Sequence, residues 1–289
     1  MEWYILVLVS AFVFGISEVI KKKVLAKEHT LQFTSSFHLV IFAIILVLLP
    51  KVEFYLTGFQ WFMIAIKSAF LALAAFCFFR LLRHYEISEV EPLKNISPLF
   101  LLPLGFALLG ERPTALNLSG ILLLIAGTYI IESDHKIINL KEPFRILKEK
   151  KIVLLLVYLI FISLCAIIDR YIIKTVDIYS YYFIQSMLTA AIFMGIEFAR
   201  KDGMNDLKNA FRRDWLAIIT AAILVVASDI LYLKAIAIPA ALIVLVIPMK
   251  RLSTLVSAFI GGELFHEKGL KIKIAACLIM VAGAWMVIM

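Results

Sequence analysis

Apolar residues in this chain do not alternate with polar ones or recur as a one-sided stripe; they come in nearly unbroken runs from one end to the other. The runs fall at about Glu2–Ile20, Phe33–Leu49, Phe59–Leu82, Val90–Leu109 and Leu116–Ile131, and again at Ile152–Ile173, Ile178–Phe198, Trp215–Lys234, Ala240–Ile260 and Ile272–Ile288. Most approach the roughly 20 residues an α-helix needs to cross about 30 Å of hydrocarbon. Pro, Gly or charged residues bound each run and mark where a helix would stop. The pattern predicts an all-α integral membrane protein of ten transmembrane helices, five in residues 1–131 and five in 152–289, joined by a polar connector at 132–151.

Composition leaves no room for a water-soluble domain, because 63% of the residues are hydrophobic and only 17% charged. A net charge of +8 raises the question of nucleic acid. The basic residues sit in short loops between apolar runs, however, where they meet lipid headgroups and set topology. Lys21, Lys22 and Lys23 follow the first run rather than precede it, the reverse of a cleavable signal peptide. Alternate loops carry the positive charge, as in Arg200, Lys201, Lys208, Arg212 and Arg213, whereas Lys51, Arg112 and Lys174 are nearly alone on the opposite side. Basic loops face the cytoplasm, which places both termini outside. The connector, with Phe144 and Leu147, and the loop Arg200–Arg213, with Met204, Leu207 and Phe211, have the amphipathic spacing of surface-lying segments. Cys77, Cys165 and Cys277 lie singly inside apolar runs and read as reduced packing residues.

Candidate chemistry resides in the charges embedded in those runs: Glu18, Lys67, Asp169, Arg170, Asp229, Lys250 and Arg251, which sum to plus one. A charge at mid-bilayer costs roughly 2.5–3.5 kcal/mol on insertion scales, so such residues face a bundle interior or a watery cavity and find partners. The segment Leu242–Gly262, LIVLVIPMKRLSTLVSAFIGG, carries Lys250 and Arg251 near its middle. One reading is a structural ion pair with Asp229. The other is an anion site, with Arg251 offering a planar fork and Lys250 a mobile point charge. Lys250, Arg251, Asp229 and Lys67 are then the candidate substrate contacts, and Asp229, which could also pair with Lys67, is a counter-charge or a proton-coupling group, a role also open to Glu18 and Asp169 where these are not simply interfacial. Pro248, and Pro98 in the fourth run, would each disrupt a helical turn and free a carbonyl. Glu111 and Glu263 end corresponding runs and suit helix-end packing or gating. Gly120, Gly127 and Gly283 suit close helix approach, and Trp61, Tyr85, Trp215 and Tyr232 suit interfacial anchoring.

The two halves repeat weakly. Gly110-Glu111 is matched by Gly262-Glu263, Ile125-Ala126-Gly127 by Val281-Ala282-Gly283, and Glu18 with Lys23 by Asp169 with Lys174. Five helices per repeat is an odd number, so the second copy must cross the membrane in the opposite sense, and such inverted repeats bind cargo near the midplane. Through the blocks LGERPTALNLSGILLLIAGTYII and GGELFHEKGLKIKIAACLIMVAGAWMVI the chain resembles a ten-helix permease of the drug/metabolite transporter superfamily, EamA branch. The resemblance implies export or exchange of small metabolites or drugs. It also implies cytoplasmic termini, against the charge pattern.

Enzymatic constellations are missing: there is no HExxH, no Gly-x-Ser-x-Gly and no phosphate-binding glycine loop, and His266-Glu267 and His38 are fragments. No channel filter is recognisable either. The expectation is a secondary transporter in the plasma or inner membrane, working by alternating access on an anionic or zwitterionic metabolite such as an amino acid or organic anion, with a proton or counter-substrate as partner and neither metal nor cofactor. The alternative cargo is a drug or lipophilic cation.

Overall fold

The computed structural model describes residues 2–25, 30–82, 95–132, 152–200, 203–265 and 270–289. All regular structure among them is helical. The first five helices are α1 (Trp3–Leu25), α2 (Thr30–Ile45), α3 (Gly58–Leu82), α4 (Ser97–Leu104) and α5 (Ala115–Glu132). They are followed by α6 (Ile152–Ile172), α7 (Ile178–Ala199), α8 (Gly203–Ala237), α9 (Ile243–Lys250), α10 (Ser253–Phe265) and α11 (Leu270–Ile288). Among the described residues, seven segments are long and apolar enough to cross a membrane, and three shorter apolar helices lie at Ser97–Leu109, Ala115–Ile131 and Ala275–Ile288. Helix is the expected answer in lipid, where every backbone group must be satisfied within its own segment. The connector 132–151 beyond Glu132, the start of the fourth run, Tyr85 and His266-Glu267 lie outside the described residues.

Local chemistry sets the helix ends. Asp177 caps α7, its carboxylate accepting from the backbone N–H groups of Tyr179 at 2.9 Å and Ser180 at 3.1 Å. Thr114 and Asn117 cap α5 reciprocally, each side chain accepting from the other's N–H, at 2.9 and 3.2 Å. The expected Arg200–Arg213 loop is helical from Gly203 and continuous with α8, bent at Asp214 where the backbone leaves helical values (φ −131°, ψ 27°). Leu207 on this stretch is buried and Phe211 packs on the core, while Met204 is exposed.

One expectation needs correction. The run Ala240–Ile260 is a single span but not a single helix: α9 ends at Lys250, the chain turns at Arg251–Leu252, and α10 begins at Ser253. Pro248 lies in the last turn of α9, and the N–H of Arg251 turns back to its carbonyl at 3.1 Å. The fourth run is irregular as well, with Pro98 in the first turn of α4, Pro103 near its end, and a π-helical turn at Gly105–Leu109. In that first turn a missing N–H costs little.

Packing runs mostly between the two halves of the chain. Helix α1 contacts α8, α9 and α10; α3 contacts α6 and α7; α2 contacts α7 and α8; α4 contacts α6; and α5 lies along α11. The α5–α11 contact is close because it is built on glycine. A Cβ added at Gly120 would sit 2.6 Å from the Gly283 carbonyl oxygen, and one at Gly283 would sit 2.8 Å from the Gly120 oxygen. Gly120→Ala is therefore expected to lower stability by about 1–3 kcal/mol. Gly195→Ala, with nothing within 4 Å of the new methyl group, should be neutral, and denaturation of the two purified variants side by side checks the contrast.

Candidate functional site

Among the described residues, three ion pairs organise the charges inside the bundle. Lys67 on α3 lies 3.1 Å from Asp169 on α6. The same carboxylate accepts the hydroxyl of Tyr181 on α7 through Oδ1 and that of Tyr232 on α8 through Oδ2, the latter at 3.3 Å. Three donors from three helices thus converge on one acid, the arrangement that an ionised carboxylate satisfies. Asp169 is buried among these partners.

The neighbouring residue, Arg170, faces the other way. Its guanidinium donates to the carbonyls of Ile236, of Ile238 at 3.2 Å and of Pro239 at 3.0 Å, gripping the C-terminal end of α8. Across the short turn to α9, Glu111 accepts the N–H groups of Ile243 at 2.8 Å and Val244 at 3.1 Å. Arg170 Nε stands 3.8 Å from Glu111 Oε1, so one clamp spans both ends of the turn. Each charge sits where the helix dipoles favour it, the anion at an N-terminus and the cation at a C-terminus. The Gly-Glu motif positions this acid: Gly110 adopts φ 67°, a left-handed value that suits glycine, and the N–H groups of Gly110 and Glu111 both return to the Gly105 carbonyl. Glu111 is thus a cap on a helix of the other half rather than an exposed helix end. Glu263 falls on α10, with its side chain outside the described residues.

Lys250 pairs with Asp229 at 3.0 Å, and the Tyr182 hydroxyl donates to the other Asp229 oxygen at 3.2 Å. The ammonium also lies 4.5 Å from the Tyr232 ring centre and 5.0 Å from that of Phe14. This pair is the most open of the three within the bundle. Its side chains are 17% and 29% exposed, against 10% each for Lys67 and Asp169 and 6% and 5% for Arg170 and Glu111. Nearer the end of α1, Glu18 pairs with Lys21, whose ammonium lies 4.6 Å from the far partner of Lys250, the Phe14 ring.

Arg251 is left over. It donates to the Ser97 hydroxyl at 3.1 Å, from the turn after α9 to the first residue of α4. Among the described residues no carboxylate lies within ion-pair distance of it. Among the described residues, the surplus of one positive charge counted along the sequence falls on this residue, at the meeting of α4 with α9.

Several site residues escape a reading of the sequence. Tyr232 is buried in the charge network and not an interfacial anchor, whereas Trp215 is exposed as anchoring requires. Tyr181 and Tyr182 were hidden in an aromatic cluster whose two hydroxyls go to different acids. Glu197, fully buried at the end of α7, accepts from Ser35 at 2.7 Å and Arg200 at 2.7 Å and ties α2 to α7; its position near a span end hid it. Asp169→Asn should lower stability by about 3–5 kcal/mol, since Lys67 is left as an unpaired buried cation. Adding Lys67→Met should restore most of that loss, and a denaturation cycle over the four proteins measures the coupling.

Residues 1–133 match the model of the EamA-like transporter family, a family of membrane transporters of the drug/metabolite type. Nothing among the curated proteins matches the sequence. A solved structure described only as "Crystal structure of protein" is similar over 99% of this chain and 96% of its own, with a TM-score of 0.74 and 14% identity, a likeness of fold. The family match and the seven apolar segments make this a multi-pass integral membrane protein.

Proposed function

We propose that the protein is a secondary transporter that carries a small anionic or zwitterionic metabolite by alternating access, holding it between two five-helix halves at Arg251. The observation that carries this reading is the guanidinium of Arg251, which has no carboxylate beside it among the described residues. A cation inside a span is costly unless paired or hydrated, and every other embedded charge singled out in the sequence has an opposite charge beside it. A carboxylate or phosphate on the cargo would supply what Arg251 lacks, and a planar fork is suited to receive it.

The packing supports two inverted repeats, residues 1–131 and 152–289. Exchanging α1 to α5 for α6, α7, α8, the α9–α10 pair and α11 turns α1–α8 into α6–α3, α2–α8 into α7–α3, and α1–α9 into α6–α4; each is a packed pair. The contacts α2–α7, α4–α9 and α5–α11 map onto themselves. Ten spans is the reading if the three shorter apolar helices are counted with the seven long ones, and the family match stopping at residue 133, where the connector begins, supports it. Charge bias supports termini on the outer face. The drive is a proton gradient or a counter-substrate, and Asp229, more open than Asp169 and set deeper in its span than Glu18, is the leading coupling candidate.

A thermal-shift panel tests the reading, because a ligand that binds only the native state raises its stability with concentration. Amino acids, carboxylates or sugar phosphates are expected to stabilise the purified protein. Stabilisation by lipophilic cations alone would contradict the proposal. In vesicles, Asp229→Asn is expected to change the pH dependence of uptake, and an unchanged profile removes Asp229 from coupling.

A further inference from the structure

The surroundings of Lys250 amount to more than an ion-pair partner. On one side lies the Asp229 carboxylate, 3.0 Å away and steadied by the Tyr182 hydroxyl; on others lie the rings of Tyr232 and Phe14, at 4.5 and 5.0 Å. A carboxylate combined with aromatic faces is the arrangement that receives alkylammonium groups, because ring quadrupoles attract a cation at little desolvation cost. Four residues on three helices, α1, α7 and α8, build it. The enclosed ammonium belongs to the last residue of α9, at the edge of the turn that interrupts the span.

We propose that this enclosure is an ammonium-binding subsite for the cargo, and that Lys250 is its tethered occupant when cargo is absent. The incoming ammonium displaces the lysine from Asp229, and the freed lysine joins Arg251 on the cargo's carboxylate. The exchange balances in charge. Before it, Lys250 and Asp229 are paired and Arg251 has, among the described residues, the Ser97 hydroxyl and no carboxylate; after it, Asp229 holds the cargo ammonium and both cations face the cargo carboxylate. No buried charge is created, and the previously unmatched guanidinium gains a partner. The partial exposure of the pair lets a solute reach it, in contrast to the more closed Lys67–Asp169 pair. The cargo class that fits is an aminocarboxylate, whose two charged ends find partners at Asp229 and at consecutive residues of the chain. The carboxylate half rests on the Arg251 reading above, whereas the ammonium half rests on the enclosure alone.

Chemical rescue separates the two. Lys250→Ala empties the enclosure, and propylammonium is the side-chain end that was cut away. Propylammonium chloride, at an ionic strength matched with potassium chloride, is expected to raise the melting temperature of purified Lys250→Ala by about 5 °C. It should leave wild type unmoved, and Asp229→Asn added to Lys250→Ala should abolish the response. An amino acid should stabilise Lys250→Ala at a concentration about tenfold lower than wild type requires, whereas the same acid without its amino group should not. If Lys250→Ala is recovered only as aggregate, propylammonium during extraction is expected to restore a monodisperse protein. Failure of propylammonium in both settings overturns the proposal, even where carboxylates still act through Arg251. If instead propylammonium rescues while no carboxylate or amino acid stabilises any form, the ammonium subsite stands and the Arg251 reading falls.

Discussion

Glu111→Ala is expected to cost about 3–5 kcal/mol of stability, the scale for removing one partner of a buried ion pair. The loss has two parts. Ile243 and Val244 lose the acceptor for their N–H groups at the start of α9, and Arg170 keeps its grip on the end of α8 with no anion beside it. For a chain of this size the melting temperature falls on the order of 10 °C. Glu111→Gln should be milder, since one carbonyl oxygen can still accept. Glu111→Ala with Arg170→Met should recover part of the loss by removing the stranded charge, but not all, because the two N–H groups remain bare. Thermal denaturation of the four purified proteins checks the order, and a shift under about 1 kcal/mol for Glu111→Ala would show that the clamp carries no weight.

Arg251→Gln should have the opposite profile. Among the described residues Arg251 has no carboxylate to orphan, so its loss is expected to leave the unliganded protein as stable as before, or more so once an unpaired charge is gone. Gln also retains a donor for the Ser97 hydroxyl. Cargo binding, by contrast, should weaken by about 30-fold or more, since truncating one side of a desolvated, hydrogen-bonded charge pair costs 2–5 kcal/mol or more. Arg251→Lys keeps the charge but not the planar fork and should fall between the two. Ligand titrations followed by thermal shift read both effects at once. Loss of fold in Arg251→Gln, or undiminished affinity, would assign the residue a structural part.

Hydrophobicity alone made the spans legible, because lipid demands long apolar helices and offers the chain no cheaper alternative. The break at Arg251–Leu252 was not legible: Pro248 signals a disrupted turn, but where the helix ends depends on what α1 and α4 pack against it. The charge count was readable as a sum and unreadable as a pairing. Which acid meets which cation is decided across helices, so Asp229 took the nearby Lys250 while Lys67 reached Asp169 in the other half. The Gly-Glu motif could be seen as a helix end, whereas its target, the N-terminus of α9, lies 132 residues on. Tyr232 looked like an anchor because hydropathy says nothing of the direction a hydroxyl faces, and here it faces Asp169.

The most direct test of the account is counterflow in proteoliposomes. Vesicles preloaded with an unlabelled carboxylate or amino acid that stabilises the protein are given the labelled compound outside, and accumulation is followed for wild type and Arg251→Gln. Wild type is expected to show saturable, transient accumulation against the label's gradient, accelerated by the internal compound and reduced at least tenfold in Arg251→Gln at subsaturating label. Equal flux in the two proteins, or flux that neither saturates nor responds to the internal compound, would contradict a carrier whose cargo is held at Arg251.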